Sequence, residues 1–235
     1  MYYPFYWDST YFLVLIGVVL SLLASAKVKS TYARYSKVRS MSGITGAEAA
    51  RRLLNSQGIY DVTIEHVSGN LTDHYDPSTK TLRLSDAVYG SASVAAIGVA
   101  AHECGHAVQH DVNYSPLAIR GALVPVANIG ANIAWPLIII GLLIGGSGSS
   151  VLCQIGILLF SAAVLFQLVT LPVEFNASSR AVKLLDQTGI LSGEELGATK
   201  KVQGAAALTY VAAAATMILQ LLRLLIIVGG RRRND

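Results

Sequence analysis

Residues 151–174, VLCQIGILLFSAAVLFQLVTLPVE, decide the fold. The run up to Val173 carries no charge and exceeds the roughly 20 apolar residues that a helix needs to cross a bilayer. It then ends on Glu174, a carboxylate whose isolation beside apolar chain is costly and marks a functional position. Immediately upstream, residues 122–144 form a second run of the same kind. The two are joined by the Gly/Ser hinge of residues 145–150, too short for anything but a helical hairpin.

Working outward, two further apolar runs appear. Residues 11–26 (YFLVLIGVVLSLLASA) follow an aromatic-rich start, Tyr2 to Trp7, whose rings suit the headgroup level. No basic region precedes that run and a basic cluster follows it, so it reads as an uncleaved anchor rather than a cleaved signal. The last run, residues 205–228, has Gln203, Gln220 and Arg223 at or within its margins. It either crosses the bilayer or lies partly at its surface. The composition agrees: 53% hydrophobic and 14% charged is a membrane balance, not that of a soluble domain.

Charge sets the orientation. Lys27, Lys29, Arg34, Lys37 and Arg39 crowd the exit of the first run, which places the following loop in the cytoplasm. Arg180, Lys183, Lys200 and Lys201 fall on the same side after the hairpin. A fourth full crossing would put Arg231, Arg232 and Arg233 on the other side, against the rule. The net charge of +4 therefore reflects anchoring beside the membrane. No basic stripe with interleaved aromatics supports a nucleic-acid partner. Cys104 and Cys153 form neither a disulfide framework nor a paired metal spacing.

Between the first two runs, residues 27–121 are long enough to bury a small core. Thr45 and Glu48 form a capping box that opens a helix over residues 46–56, with Ala49, Leu53 and Leu54 as its apolar stripe. Residues 62–67 alternate as a strand. Residues 73–75 and 81–85 flank the turn formers Asp76 to Lys80 as a hairpin. The strand at 81–85 is expected to offer a free edge for an extended substrate. Small apolar residues from Ser91 to Gln109 indicate a buried helix. Beyond the third run, residues 174–187 are read as a new helix starting at Glu174. A second capping box at Ser192 and Glu195 opens a helix that continues into the fourth run.

The sequence His102-Glu103-Cys104-Gly105-His106 is an H-E-x-x-H motif. Two histidines four positions apart stand one above the other on one helical face, where both imidazoles can reach a single zinc ion. Glu103 projects toward the open coordination position and can take a proton from water. A catalytic zinc has three protein ligands, so one more comes from elsewhere. The metzincin spacing would need Gly at 109 and His at 112, whereas the chain has Gln109 and Val112. His110 lies about 80° around the helix and about 12 Å along it from His102, so it cannot share the ion and is expected in solvent. Glu174 is the favoured third ligand, with His66 and His74 as alternatives. A helix N-terminal carboxylate or a pair with Arg180 is the competing explanation of Glu174.

Taken together, HECGHAVQ at 102–109, DHYDP at 73–77, LRLS at 82–85 and LPVEF at 171–175 with Ala177-Ser178 resemble the bacterial membrane neutral zinc metallopeptidase family, the YugP-like proteins. The resemblance covers nearly the whole chain. More distantly the chain is similar to the heat-shock membrane protease and CAAX prenyl protease families, in which a Glu on a later helix completes the zinc site. Glu174 matches that role. Those relatives commonly carry Asp four residues further on, where this chain has Ser178, which can still hydrogen-bond an imidazole.

The expected architecture is a mainly α membrane protein with about four transmembrane helices and a small cytoplasmic α+β zincin-like domain carrying the H-E-x-x-H helix. It divides into an anchor (1–26), the zincin-like region (27–121), the hairpin (122–173), a cytoplasmic helical segment (174–204) and the last membrane helix with its basic tail (205–235). The expected function is zinc-dependent endopeptidase cleavage of peptides or membrane proteins at the cytoplasmic face of the cell membrane. Zn is held by His102, His106 and Glu174, and Glu103 is the general base. His74, Tyr75 and Tyr210 are candidate donors to the developing oxyanion. The competing class is a transporter or non-catalytic metal-binding protein, for which the few polar residues of the hairpin give little support.

Overall fold

A computed structural model describes residues 9–144 and 146–231. The aromatic start at Tyr2 to Trp7, Gly145 of the expected hinge, and Arg232 and Arg233 lie outside the described residues. In chain order the elements are α1 (Tyr11–Tyr35), α2 (Gly46–Ser56), β1 (Thr63–Val67), β2 (His74–Asp76), β3 (Thr81–Ser85), α3 (Val94–Asp111), α4 (Ser115–Ile144), α5 (Gly146–Gln187) and α6 (Gly193–Arg231). Four of the described helices, α1, α4, α5 and α6, are long and apolar enough to cross a membrane. The chain folds as two compact units. Of the described residues, one unit comprises 9–23, 119–171 and 210–231; the other comprises Ala24–Ala118 and Pro172–Thr209.

The second unit has a water-type core. Thr45 caps α2 as its spacing requires: the Glu48 amide donates to Thr45 Oγ1 at 3.3 Å and the Thr45 amide to Glu48 Oε2 at 2.8 Å. The apolar stripe Ala49, Ala50, Leu53 and Leu54 is then buried against α3. Ser93 caps α3, accepting from the Ala96 amide at 3.2 Å. Leu82, Leu84, Ile97, Leu185 and Leu191 complete a core from which water is excluded. Each such side chain contributes roughly 1.5–3 kcal/mol on burial.

The sheet order is β1-β3-β2, with β1 parallel and β2 antiparallel to β3. This overturns the expected free edge at 81–85. β3 is the central strand, covered by β1 through Thr63↔Thr81 to Val67↔Ser85, and the edges are β1 and β2. The parallel partner was hidden because pairing through a long connection leaves no turn signature. Asp73 anchors the end of β3, accepting from the amide and hydroxyl of Ser85 at 2.8 and 2.9 Å.

The first unit is packed differently. Gly130 has no side chain, and a Cβ there would run into the Leu159 carbonyl, so α4 and α5 approach at backbone distance. Thr216 donates to the Gly17 carbonyl at 3.1 Å and lies 3.2 Å from Ser21 Oγ, tying α6 to α1. Trp135 meets Phe160 edge-on beside Ala134, Ile138, Val164 and Leu224. The outward positions, among them Leu22, Leu23, Ile129 and Leu158, are exposed and apolar, the reverse of a surface that faces water.

Three boundaries differ from expectation. Residues 146–150 are the first turns of α5 rather than a hinge. Glu174 does not start a helix: α5 runs unbroken past it, with Pro172 inside, so the helix-terminus explanation of Glu174 falls away. Pro172 removes one amide from the helical ladder, and long apolar helices tolerate such a gap. The second capping box is not closed, because Glu195 Oε1 accepts instead from the Met41 amide at 2.7 Å. The run from residue 193 into the last apolar segment is one helix, α6, as expected.

Candidate metal centre

The candidate metal centre is assembled within the second unit from α3 and α5. On α3, His102 and His106 stand one turn apart, their rings 4.8 Å between centres and nearly perpendicular. Across from them α5 presents Glu174, which is almost wholly buried. Its Oε2 lies 3.2 Å from His102 Nε2 and 3.6 Å from His106 Nε2. Two donors at about 2.0–2.1 Å from a tetrahedral ion are about 3.3 Å apart, so these separations suit one ion. The three residues offer ligand atoms that all lie within 4.8 Å of one another, and they are the cluster of three or more metal-ligating side chains among the described residues. Two imidazoles and one carboxylate are a zinc donor set that leaves a coordination position for water.

The approach of α5 to α3 depends on Gly105. A Cβ at this position would lie 2.5 Å from the Ala177 carbonyl oxygen, closer than atoms pack. Glycine between the two histidines thus lets the helix bearing Glu174 come near.

Each histidine is held from behind. His106 Nδ1 lies 3.0 Å from Gln109 Oε1, and the Gln109 amide donates to the Val173 carbonyl at 2.8 Å and to Asn176 Oδ1 at 3.0 Å. His102 Nδ1 lies 3.2 Å from Ser178 Oγ; Ser178 donates to Gln203 Oε1 at 3.1 Å, and Gln203 donates to the Gly98 carbonyl at 2.8 Å. Since the glutamine amides are committed to carbonyl acceptors, their oxygens receive. This network assigns the proton to Nδ1 in both rings and turns both Nε2 atoms toward Glu174. Burial opposes charge on His106, but Glu174 and Glu103 outweigh it and raise its pKa.

Glu103 follows His102 on α3 and is buried, yet its carboxylate has no hydrogen bond or ion pair within the described residues. His74 lies on β2 and is exposed, its Nδ1 2.9 Å from the Thr72 carbonyl. The Tyr75 hydroxyl sits 2.9 Å from His110 Nδ1. Burial, then the nearby Asp61, Asp76 and Asp111, push that phenol up to about 12, so it remains a proton donor at neutral pH. His110 is therefore part-buried and engaged, not solvated as expected. His66 pairs with Asp86 at 2.6 Å and does not join the cluster. Arg180 donates to Asn176 at 2.7 Å. Tyr210 stands on α6 in the other unit. Burial pushes the Cys104 thiol up, which keeps it inert.

Residues 10–229 match the family described as "Putative neutral zinc metallopeptidase". The chain belongs to this family. The metallopeptidase family implies zinc, for which the His102, His106 and Glu174 donor set is chemically suited. A relative from Bacillus subtilis (strain 168), described as "Putative membrane protease YugP", is 50% identical over 201 residues, covering 86% of this chain and 88% of the relative. No solved structure matches the chain.

Reading for a metallopeptidase motif alone misses Gln109, Asn176 and Gln203. In the sequence Gln109 stands out as the end of the motif helix and as the residue that breaks the metzincin spacing, not as a partner of His106. Its signal was its position three residues after His106, on the same helical face.

Proposed function

We propose that this protein is a membrane-embedded zinc endopeptidase whose centre is His102, His106 and Glu174, with Glu103 as general base. The observation that carries the reading is the approach of the buried Glu174 carboxylate to both Nε2 atoms from a separate helix. When bound, zinc supplies a Lewis acid that polarises the scissile carbonyl and makes water nucleophilic near neutral pH. Glu103, buried and without a hydrogen bond or ion pair among the described residues, takes the proton of the attacking water and passes it to the leaving amine. The donor to the carbonyl oxygen comes from His74 or Tyr75. Ser178 and Gln109 orient the imidazoles. The domain that carries the motif helix is zincin-like and cytoplasmic, as the basic cluster after residue 26 argues. Peptides or segments of membrane proteins are its substrates, a reading supported by the description of the Bacillus relative as a membrane protease.

The test is zinc content and casein cleavage by the purified full chain, wild type against Glu103→Gln and Glu174→Ala. Glu103→Gln is expected to keep its zinc and to lose about 100-fold or more of the activity. Glu174→Ala is expected to lose zinc. Undiminished cleavage by Glu103→Gln refutes the assignment of the base.

A further inference from the structure

Away from the metal centre, a cleft of about 430 Å³ opens in the second unit between the end of α1 and the start of α6. It falls in the range of roughly 300–1,000 Å³ typical of small-ligand sites. Its charged lining is of one sign: Lys27 and Arg34 from α1 and Lys201 from α6, with the hydroxyl of Ser30 among them and no carboxylate. Arg34 packs over the Tyr35 ring, 5.6 Å from its centre.

Two cations elsewhere in this unit are neutralised, Lys80 by Asp61 and Arg83 by Glu65 and Asp76, whereas the cleft draws three together without a carboxylate. None of the three cleft cations is in an ion pair among the described residues. Like charges that converge on a concave surface raise a positive potential that an anion relieves. Gly204 leaves that surface open, since a Cβ there would meet nothing.

We propose that this cleft binds the headgroup phosphate of an anionic phospholipid. A phosphodiester would accept from the three cations. Two features favour a lipid over a free phosphate. Leu208, an exposed apolar side chain, lines the same cleft. The two helices that form it, α1 and α6, are also both long and apolar enough to cross a membrane. Basic pockets between membrane helices are a recurrent form of headgroup site. The inference is independent of the peptidase reading.

The test is native mass spectrometry of the detergent-solubilised full chain titrated with phosphatidylglycerol or phosphatidylcholine. Wild type is expected to retain phosphatidylglycerol at least about tenfold better. The triple variant Lys27→Gln, Arg34→Gln, Lys201→Gln should weaken that retention about 100-fold, roughly fivefold per cation. The matched triple Lys37→Gln, Arg52→Gln, Lys183→Gln removes the same charge elsewhere and should leave retention unchanged. Equal retention of the two lipids by wild type overturns the proposal without reference to any variant. So does equal loss in both triples. Displacement of phosphatidylglycerol by an equal concentration of inorganic phosphate would make the cleft a free-anion site and also overturn it.

Discussion

His106 and Gln109 form a buried pair one helical turn apart, Nδ1 to Oε1 at 3.0 Å, and the far end of the same amide is fixed on Val173 and Asn176. The glutamine thus ties a proposed zinc ligand on α3 to the backbone just before Glu174 on α5. Replacing it with leucine keeps the volume and removes the acceptor, leaving Nδ1 unpaired and the Val173 carbonyl with only its partner in the α5 ladder. Groups that orient a metal-bound histidine typically carry 10–100-fold in affinity. Gln109→Leu is therefore expected to weaken zinc binding by about that factor, read by chelator competition on the purified chain. Wild-type affinity would show that the pair does not position the ring.

The relay behind His102 is longer, running through Ser178 to Gln203 and ending on the Gly98 carbonyl. Ser178→Ala removes its middle, and Gln203→Leu its anchor. Each is expected to weaken zinc binding about tenfold. Because both act through one chain of hydrogen bonds, the double variant should cost little more than Ser178→Ala alone. Additive losses in a double-mutant cycle would show two independent roles.

How far these features were legible follows from the range of the interactions. The α2 capping box, the β3 boundaries and the H-E-x-x-H helix depend on contacts within a few residues, and their spacing alone declares them. Glu174 was legible for another reason, since a carboxylate at the end of the uncharged run 151–173 needs a compensating partner. The central place of β3 was not legible, because β1 reaches it through a parallel register that no turn sequence announces. Helix continuity through Glu174 was hidden by Pro172, which locally reads as a stop. Gln203 joins Gly98 across 105 residues, a contact that only the folded chain reveals.

The Tyr75 phenol predicts a pH effect with a definite sign. Its pKa is pushed up to about 12 by burial and by the surrounding carboxylates, against about 10 in an unfolded chain. The folded protein holds that proton longer than the unfolded one. Its contribution to stability is accordingly level below about pH 10 and is lost between about pH 10 and pH 12. Unfolding midpoints should fall less steeply with pH in that window for Tyr75→Phe than for wild type. Parallel curves would mean that Tyr75 titrates normally.

Gly105 and Gly98 lie two turns apart on α3 and separate two kinds of close contact. At Gly98 a new Cβ would meet the Thr199 methyl at 3.1 Å, a side-chain atom that can give way by a few tenths of an ångström. There the gain in helix propensity, up to about 1 kcal/mol from Gly to Ala, offsets the crowding, so Gly98→Ala should be close to neutral. At Gly105 the obstacle is the Ala177 backbone at 2.5 Å, which moves only if α5 moves. Overpacking of that sort typically costs 1–3 kcal/mol, more than the propensity returns. Displacement of α5 would also carry Glu174 away from His102 and His106. Gly105→Ala is thus expected to lower the thermal midpoint and to weaken zinc binding together, whereas Gly98→Ala changes neither appreciably. If Gly105→Ala bound zinc as tightly as wild type, close packing of the two helices at this glycine would not be what sets the geometry of the centre.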